Sequence, residues 1–317
     1  MKGKRILIVG ATGSLGISLT SKYIKDNQIM NISRNEEKQW NLRTLIKSEN
    51  LRQVIGDIAY YDEVRSSVYL FDPHVILYVC ALKHIDICEK QPIKTFQVNV
   101  NGVHNIVNDI INNRVSYRSL ETFLFVSTDK ACLPITIYGY SKSTSEKIVQ
   151  NTVVPGIKFV AVRYGNVLNS SGSILPLLHN IGQSSEYAHF SLTDIHMTRF
   201  IMRLEESVDL IEYAIEHGKN NEIIIPKLRA FCISDLINVF SEIYKKEIII
   251  TGLRCIEKIN EDLVSKYEAD CAYNGTIDKY IHITSEKKSN NIFSLSSNDV
   301  VITKGELLDY LKLYEYI

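Results

Sequence analysis

The chain has 317 residues, 45% of them hydrophobic, with 36 basic and 36 acidic side chains and hence no net charge. That size and composition support one large or two modest folded domains, and the neutral balance excludes a polyanion binder, whose affinity depends on excess positive charge. No apolar run reaches the roughly 18 residues of a membrane span, and residues 6–9 behind the basic start are too few for a secretory leader, so a cytoplasmic address without membrane contact is expected.

Short apolar strands are expected at 5–10, 29–32, 51–55, 75–79, 122–127 and 158–162, with helices at 14–25, 61–70, 93–111 and 138–152 between them. Strict alternation of buried, β-branched strands with amphipathic helices is the pattern of an α/β, doubly wound parallel sheet of the Rossmann type. The alternation loosens after Arg163, and 166–173, rich in Ser, Gly and Asn, reads as a loop leaving the sheet. Residues 1–165 therefore form the dinucleotide-binding domain, with later segments returning to it. Residues 166–317 form mainly a smaller α/β lobe for substrate. The polar cluster at 287–291 reads as a solvated loop. Six cysteines show neither a C-x-x-C pair nor zinc-ligand spacing, so reduced thiols and no metal are expected.

The first strand runs into Gly10-Ala11-Thr12-Gly13-Ser14-Leu15-Gly16, which opens a helix. The first glycine permits the tight turn, the second the approach of a pyrophosphate, and the third close helix–strand packing. The pyrophosphate sits on the helix N-terminus. The second strand ends Asn31-Ile32-Ser33-Arg34 with no acid at its tip, so Ser33 and Arg34 suit a 2′-phosphate and favour NADP; the bland alternative is a surface arginine. Asp57, followed by Ile58, is either an adenine contact or a helix N-cap. Ala81, Lys83 and His84 follow the fourth strand and line the cofactor pocket, His84 as a structural histidine. Tyr138 and Lys142 share a helix face. Chance spacing makes that weak evidence by itself, but the pair follows the fifth strand and Ser127-Thr128-Asp129-Lys130, near the strand ends where cofactors bind.

These features resemble the extended short-chain dehydrogenase/reductases. Ala81-Leu82-Lys83-His84, Asn99-Val100-Asn101-Gly102, Val126-Ser127-Thr128-Asp129-Lys130-Ala131, Arg163-Tyr164-Gly165-Asn166-Val167, Met197-Thr198-Arg199-Phe200 and Ile225-Pro226-Lys227 are similar to the soluble, inverting UDP-N-acetylglucosamine 4,6-dehydratases of flagellin-sugar and capsule pathways. The resemblance implies Lys130 as the mark of the N-acetylated-sugar branch, where relatives acting on unacetylated glucose nucleotides carry glutamate. It also implies a homo-oligomer, dimer or hexamer, formed through helices flanking the sheet. Departures are Ser171 in place of arginine, Leu133 and Thr136 in place of asparagines, and Cys80 in place of alanine.

The resemblance and group chemistry together imply a mechanism. Lys142 and the cationic nicotinamide lower the pKa of Tyr138, which takes the proton of the sugar 4-hydroxyl, oriented by Thr128, as hydride leaves carbon 4. A neutral Lys130, its pKa depressed, removes the carbon 5 proton, and a protonated Asp129 supplies the departing 6-hydroxyl. Lys83, Asn166, Ser173 and Arg199 hold the UDP-sugar, Arg199 by pairing with the diphosphate. Plainer roles stand beside these: a salt-bridged loop lysine at 130, an N-cap at Asp129, a turn-holding Asn99, and a surface ion pair of Arg199 with Asp194 or Glu205. The competing functions are a nucleotide-sugar 4-epimerase, a retaining dehydratase, and a non-catalytic NADP-binding scaffold or sensor.

Overall fold

A computed structural model describes residues 1–170, 172–287 and 293–317, so Ser171 and all of the 287–291 cluster except Lys287 lie outside the described residues. The first half runs β1 (Arg5–Val9), α1 (Ser14–Tyr23), β2 (Gln28–Ser33), α2 (Glu36–Ile46), β3 (Leu51–Ile55), α3 (Asp62–Phe71), β4 (Val75–Tyr78), α4 (Ile85–Lys90), α5 (Pro92–Phe96), α6 (Gly102–Asn112), β5 (Thr122–Val126), α7 (Ile137–Gln150) and β6 (Lys158–Val162). The second half runs β7 (Asn166–Val167), α8 (Ile174–Gln183), β8 (His189–Leu192), β9 (Thr198–Met202), α9 (Leu204–His217), β10 (Glu222–Pro226), β11 (Arg229–Cys232), α10 (Ile233–Tyr244), β12 (Glu247–Ile250), β13 (Asp262–Val264), β14 (Ala272–Asn274), β15 (Tyr280–Ile283), β16 (Leu295–Ser296) and α11 (Lys304–Leu313).

Nine strands make the main sheet in the order β14-β15-β10-β6-β5-β4-β1-β2-β3. It is parallel from β3 to β10, and β15 and β14 close one edge antiparallel. Strands such as β4 (VILY) and β5 (TFLFV) are buried at every residue, which is why they read as unbroken apolar runs. β1 pairs with β2 on one side and β4 on the other. Strand order reverses there, opening a crevice beyond the carboxyl ends of β1 and β4.

The helix expected at 93–111 is present from Pro92 to Asn112 but not as a single α-helix. After α5 the backbone widens into one π-helical turn at Gln97–Asn101 before α6 begins. The turn carries Asn99, which donates to Leu82 O at 2.9 Å and to Ser141 Oγ at 3.0 Å and accepts from Leu82 N–H at 2.8 Å. Asn99 thus ties the loop after β4 to α7.

The later chain divides. α9 packs against α1, β5 and β6, and β10, β14 and β15 extend the main sheet. The smaller lobe has its own core around Leu175, Leu178, Phe190, Phe231 and Phe240, between α8, α10, α11 and the β8–β12 pair. A buried clamp fixes the sheet to the later chain. Arg163, just past β6 and 2% exposed, donates to both carboxylate oxygens of Glu146 on α7, to both of Glu268, and to Leu263 O. Glu268 would be pushed up by its burial, but the Arg163 guanidinium outweighs that and holds it down to about 2.

Candidate active site

Residues from six strand ends line one cleft of about 570 Å³. Its floor is the glycine loop. Gly10 has φ +98°, and a Cβ there would meet the Cys80 Cβ at 2.7 Å; one on Gly16 would meet Ala11 Cα at 2.4 Å. A Cβ on Gly13 would meet only Gly10 O, at 3.7 Å. Gly13 is also the N-cap of α1 and has no side-chain capping bond. An uncapped helix start facing an open cleft suits a pyrophosphate. Thr12, Ser14 and Leu15 line the same floor.

The loop is held from beneath by Asn31, buried inside β2, whose Oδ1 accepts from Ala11 N–H at 3.1 Å and whose amide donates to Ser33 Oγ. Gln39 of α2 also donates to Ser33 Oγ, at 3.0 Å. Neither residue was singled out from the sequence, though an asparagine within an otherwise apolar strand signals a partner that must be satisfied. Arg34 and Lys38 line this end of the cleft. Arg34 lies 3.7 Å from Asp57, which Lys94 also approaches at 3.6 Å. Asp57 accepts from Ala59 N–H at 3.0 Å as the N-cap of a short 3₁₀ turn, the plainer of the two roles expected of it, and it also lines the cleft with Ile58. Ala81, Lys83 and His84 form the facing wall. His84 is exposed with its ring against Gly172 rather than a buried structural histidine. Cys80, between the glycine loop and Lys142, has its thiol pushed up by burial.

At the cleft's other end lie Ser127, Thr128, Tyr138 and Lys142. Thr136 caps α7, accepting from Gly139 N–H at 3.0 Å, and Glu89 accepts from Ile137 N–H at 2.7 Å. The preceding loop turns through Leu133 at φ +47°, a left-handed conformation that asparagine tolerates better than leucine. Ser127 Oγ is buried without a protein partner among the described residues and faces the cleft, as expected where a bound group completes the bond.

Two electrostatic expectations need correction. Tyr138 is not lowered by Lys142. Burial pushes it up to about 12, and what pulls against that is the charge of Lys130 and a hydrogen bond with Thr128. Lys142 donates instead to Val126 O and stands 4.0 Å over the Phe125 ring, and its burial brings it down to about 8.

Nor is Lys130 depressed. Burial alone would lower it, but Asp129 at 3.1 Å and Glu261 at 3.4 Å outweigh burial and the Arg199 charge and raise it above the ordinary lysine range. Asp129 Oδ1 accepts from both Thr128 and Lys130. Its Oδ2 is buried without a hydrogen-bond partner among the described residues. Glu261 had no signal in the sequence, because it reaches Lys130 from 131 residues further along the chain.

The residues expected on the substrate separate. Lys83 lines the cleft; Asn166, Ser173 and Arg199 do not. Asn166 Oδ1 on β7 and Ser173 Oγ at the N-cap of α8 are buried with no hydrogen-bond partner among the described residues. Arg199 is 8% exposed and donates to Thr198 O, Ile259 O and Lys258 O at 2.7–2.9 Å, with Glu261 4.0 Å from its Nε. It lies outside the cleft where a diphosphate ligand was expected and is too buried for a surface ion pair, and two of its donors hold the carbonyls of Lys258 and Ile259. Among the described residues no group of His, Cys, Asp and Glu is arranged to hold a metal, and no helix is long and apolar enough to cross a membrane.

The polysaccharide biosynthesis protein family matches residues 6–284 of this chain. The chain belongs to that family. Its members here are extended short-chain dehydrogenase/reductases of the nucleotide-sugar dehydratase and epimerase kind. A UDP-glucose 4-epimerase of Rickettsia prowazekii is 36% identical over 275 residues, covering 83% of this chain and 78% of its own length. The inverting UDP-N-acetylglucosamine 4,6-dehydratase of Campylobacter jejuni is 33% identical over 279 residues, covering 86% and 80%. The X-ray structure of Pen from Bacillus thuringiensis superposes with a TM-score of 0.89 at 27% identity, covering 100% of this chain and 99% of that one.

Proposed function

We propose that this member of the family is an NADP-dependent 4,6-dehydratase of UDP-N-acetylglucosamine that inverts carbon 5. The observation that carries this reading is the Asp129–Lys130 pair. It is bonded to Thr128, which lines the cleft, and it keeps one buried carboxylate oxygen without a partner. A 4-epimerase has no use for an acid and a base behind its tyrosine; a dehydratase needs both to break the bonds at carbons 5 and 6.

The glycine loop would hold the pyrophosphate, Ser33, Arg34 and Lys38 the 2′-phosphate, and Lys142 the nicotinamide end; the bound cofactor supplies hydride acceptance and return. Arg34 and Lys38 line this end of the cleft, and the one carboxylate there, Asp57, is already approached by Arg34 and Lys94, which supports NADP over NAD. Tyr138 takes the proton of the 4-hydroxyl. Its pKa must fall from about 12 on complex formation, and an adjacent positive charge acts in that direction. Asp129 and Lys130 together hold one transferable proton. Moving it from the ammonium to the carboxylate gives an amine that accepts the carbon 5 proton and an acid that protonates the 6-hydroxyl. Elimination then returns the pair to its resting charges. Carbon 5 then takes a proton from solvent on the opposite face, which gives inversion.

The 4-epimerase reading is favoured by the name of the R. prowazekii relative. Proton NMR of the purified protein with UDP-N-acetylglucosamine separates the two. The proposal expects a methyl signal from a 4-keto-6-deoxy sugar, with ring-proton couplings reporting inversion. Conversion to the galacto epimer without a methyl signal would replace it with the epimerase reading.

A further inference from the structure

The C-terminal half delivers Glu261 to Lys130 by a built route. Thr198 on β9 donates from its backbone to Ile259 O at 3.0 Å and from its hydroxyl to Asn260 Oδ1 at 2.8 Å. Arg199 donates to the carbonyls of Lys258 and Ile259, and Ser297 Oγ accepts from Glu261 N–H at 2.9 Å. The segment ends with the Glu261 carboxylate 4% exposed, Oε1 3.4 Å from Lys130 Nζ and Oε2 buried without a hydrogen-bond partner among the described residues. Lys258 is 3.8 Å from Oε2 and is itself committed to Cys132 O at 2.8 Å. A carboxylate buried this deeply is costly unless a cation stands against it, and Lys130 is the nearest.

We propose that Glu261 is a positioning residue that keeps the proton shared by Asp129 and Lys130 on the pair, acting through Lys130 without touching substrate. The inference rests on the dehydratase reading for its consequence, because that reaction needs the pair to hold one proton whichever member carries it. Two carboxylates face Lys130, and the charged or titratable groups opposing or flanking them are Arg199, Lys258 and Tyr138. With both carboxylates in place the ammonium is held above the ordinary lysine range. Without Glu261, burial is opposed by Asp129 alone and the pair loses its proton at a lower pH.

The test compares wild type, Glu261→Gln and Glu261→Asp in kcat for the methyl product between roughly pH 6 and 10, the range below ordinary lysine titration. Wild type and E261D are expected to share one alkaline profile. E261Q gains an alkaline limb falling about tenfold per pH unit, with KM for the UDP-sugar unchanged. A uniform loss in E261Q with an unshifted profile would assign Glu261 a merely structural role and overturn the proposal. A cycle of urea-unfolding stabilities for E261Q, Lys130→Met and the double variant needs no turnover. The double variant should lose less than the sum of the singles, whereas additive losses would show that the two side chains are uncoupled. If wild type forms no methyl product, the dehydratase reading fails, and the cycle still decides whether Glu261 holds Lys130.

Discussion

A buried lysine, Lys142, and a partly buried one, Lys130, flank Tyr138, and they are driven in opposite directions. Lys142 on the cleft floor faces a carbonyl and an aromatic ring, and burial wins, bringing it down to about 8. Lys130, in the pocket behind, faces Asp129 and Glu261, and there the carboxylates win. Burial alone therefore says nothing about a lysine's charge; the neighbours that share its low-dielectric surroundings decide it. The contrast divides the labour. The floor offers a titratable cation beside the tyrosine, where charge must change as the 4-hydroxyl is oxidised. The pocket offers a fixed charge pair, where a proton has only to move from one partner to the other.

The largest expected effect is on Tyr138, which stands between the two. Tyr138→Phe should lower kcat by about 10²–10⁴-fold while leaving NADP binding, measured by fluorescence titration, intact. Retained turnover would remove the tyrosine from both halves of the comparison. Next comes the clamp that keeps the later chain, and with it Glu261, against the sheet. Glu268→Gln leaves Arg163 buried with one carboxylate and should cost about 3–5 kcal/mol of unfolding free energy at neutral pH. Glu268 is depressed in the folded state, so its contribution is full above the ordinary glutamate range and disappears as pH falls through about 2. Wild type and variant should therefore converge in acid, and a gap unchanged with pH would exclude the ion pair as its source.

Lys142 gives an effect of similar size and opposite sign. A fall from 10.5 to about 8 penalises the folded state by roughly 3 kcal/mol below pH about 8, and the penalty is relieved as pH rises toward 10.5. In the cofactor-free protein Lys142→Met should be more stable than wild type at pH 7, the difference shrinking between pH about 8 and 9.5, before the buried tyrosines begin to titrate. Equal stability across that range would place Lys142 in water. Arg34→Ala should weaken NADP binding by about 1.5–3 kcal/mol and spare NAD, since it removes one charged hydrogen bond to the 2′-phosphate; equal loss for both cofactors would contradict that role. The smallest effect belongs to Leu133. Leu133→Asn should stabilise by up to about 1 kcal/mol in urea unfolding, relieving left-handed strain at a half-exposed site.

The cleft floor was legible in the sequence because its parts are local. The glycine loop follows β1, Ser33 and Arg34 lie at the end of β2, and Tyr138 and Lys142 stand one turn apart on α7. The pocket behind was legible only in its residue types. Asp129 and Lys130 were named, but Lys130 is raised where a depressed pKa was expected, because Asp129 and then Glu261 stand against it, and Glu261 arrives through contacts of β9 and Ser297 that no spacing reveals. Arg199 failed for the same reason: its carbonyl partners at 258 and 259 are long-range, and an arginine with unknown neighbours reads as a phosphate ligand. The π-helical turn at Gln97–Asn101 was missed because one extra residue within a helix shifts the hydrophobic register too briefly to read from sequence, while it redirects Asn99.

The division between floor and pocket is tested most directly by Lys130→Met mixed with UDP-N-acetylglucosamine and NADP in a single turnover. The near-ultraviolet absorbance of reduced nicotinamide reports oxidation at carbon 4, and NMR of the quenched mixture reports the methyl product. The account predicts that the variant still reduces the cofactor and makes no methyl product. A variant that makes the methyl product at the wild-type rate, or one that loses both signals while folded and able to bind NADP, would contradict it.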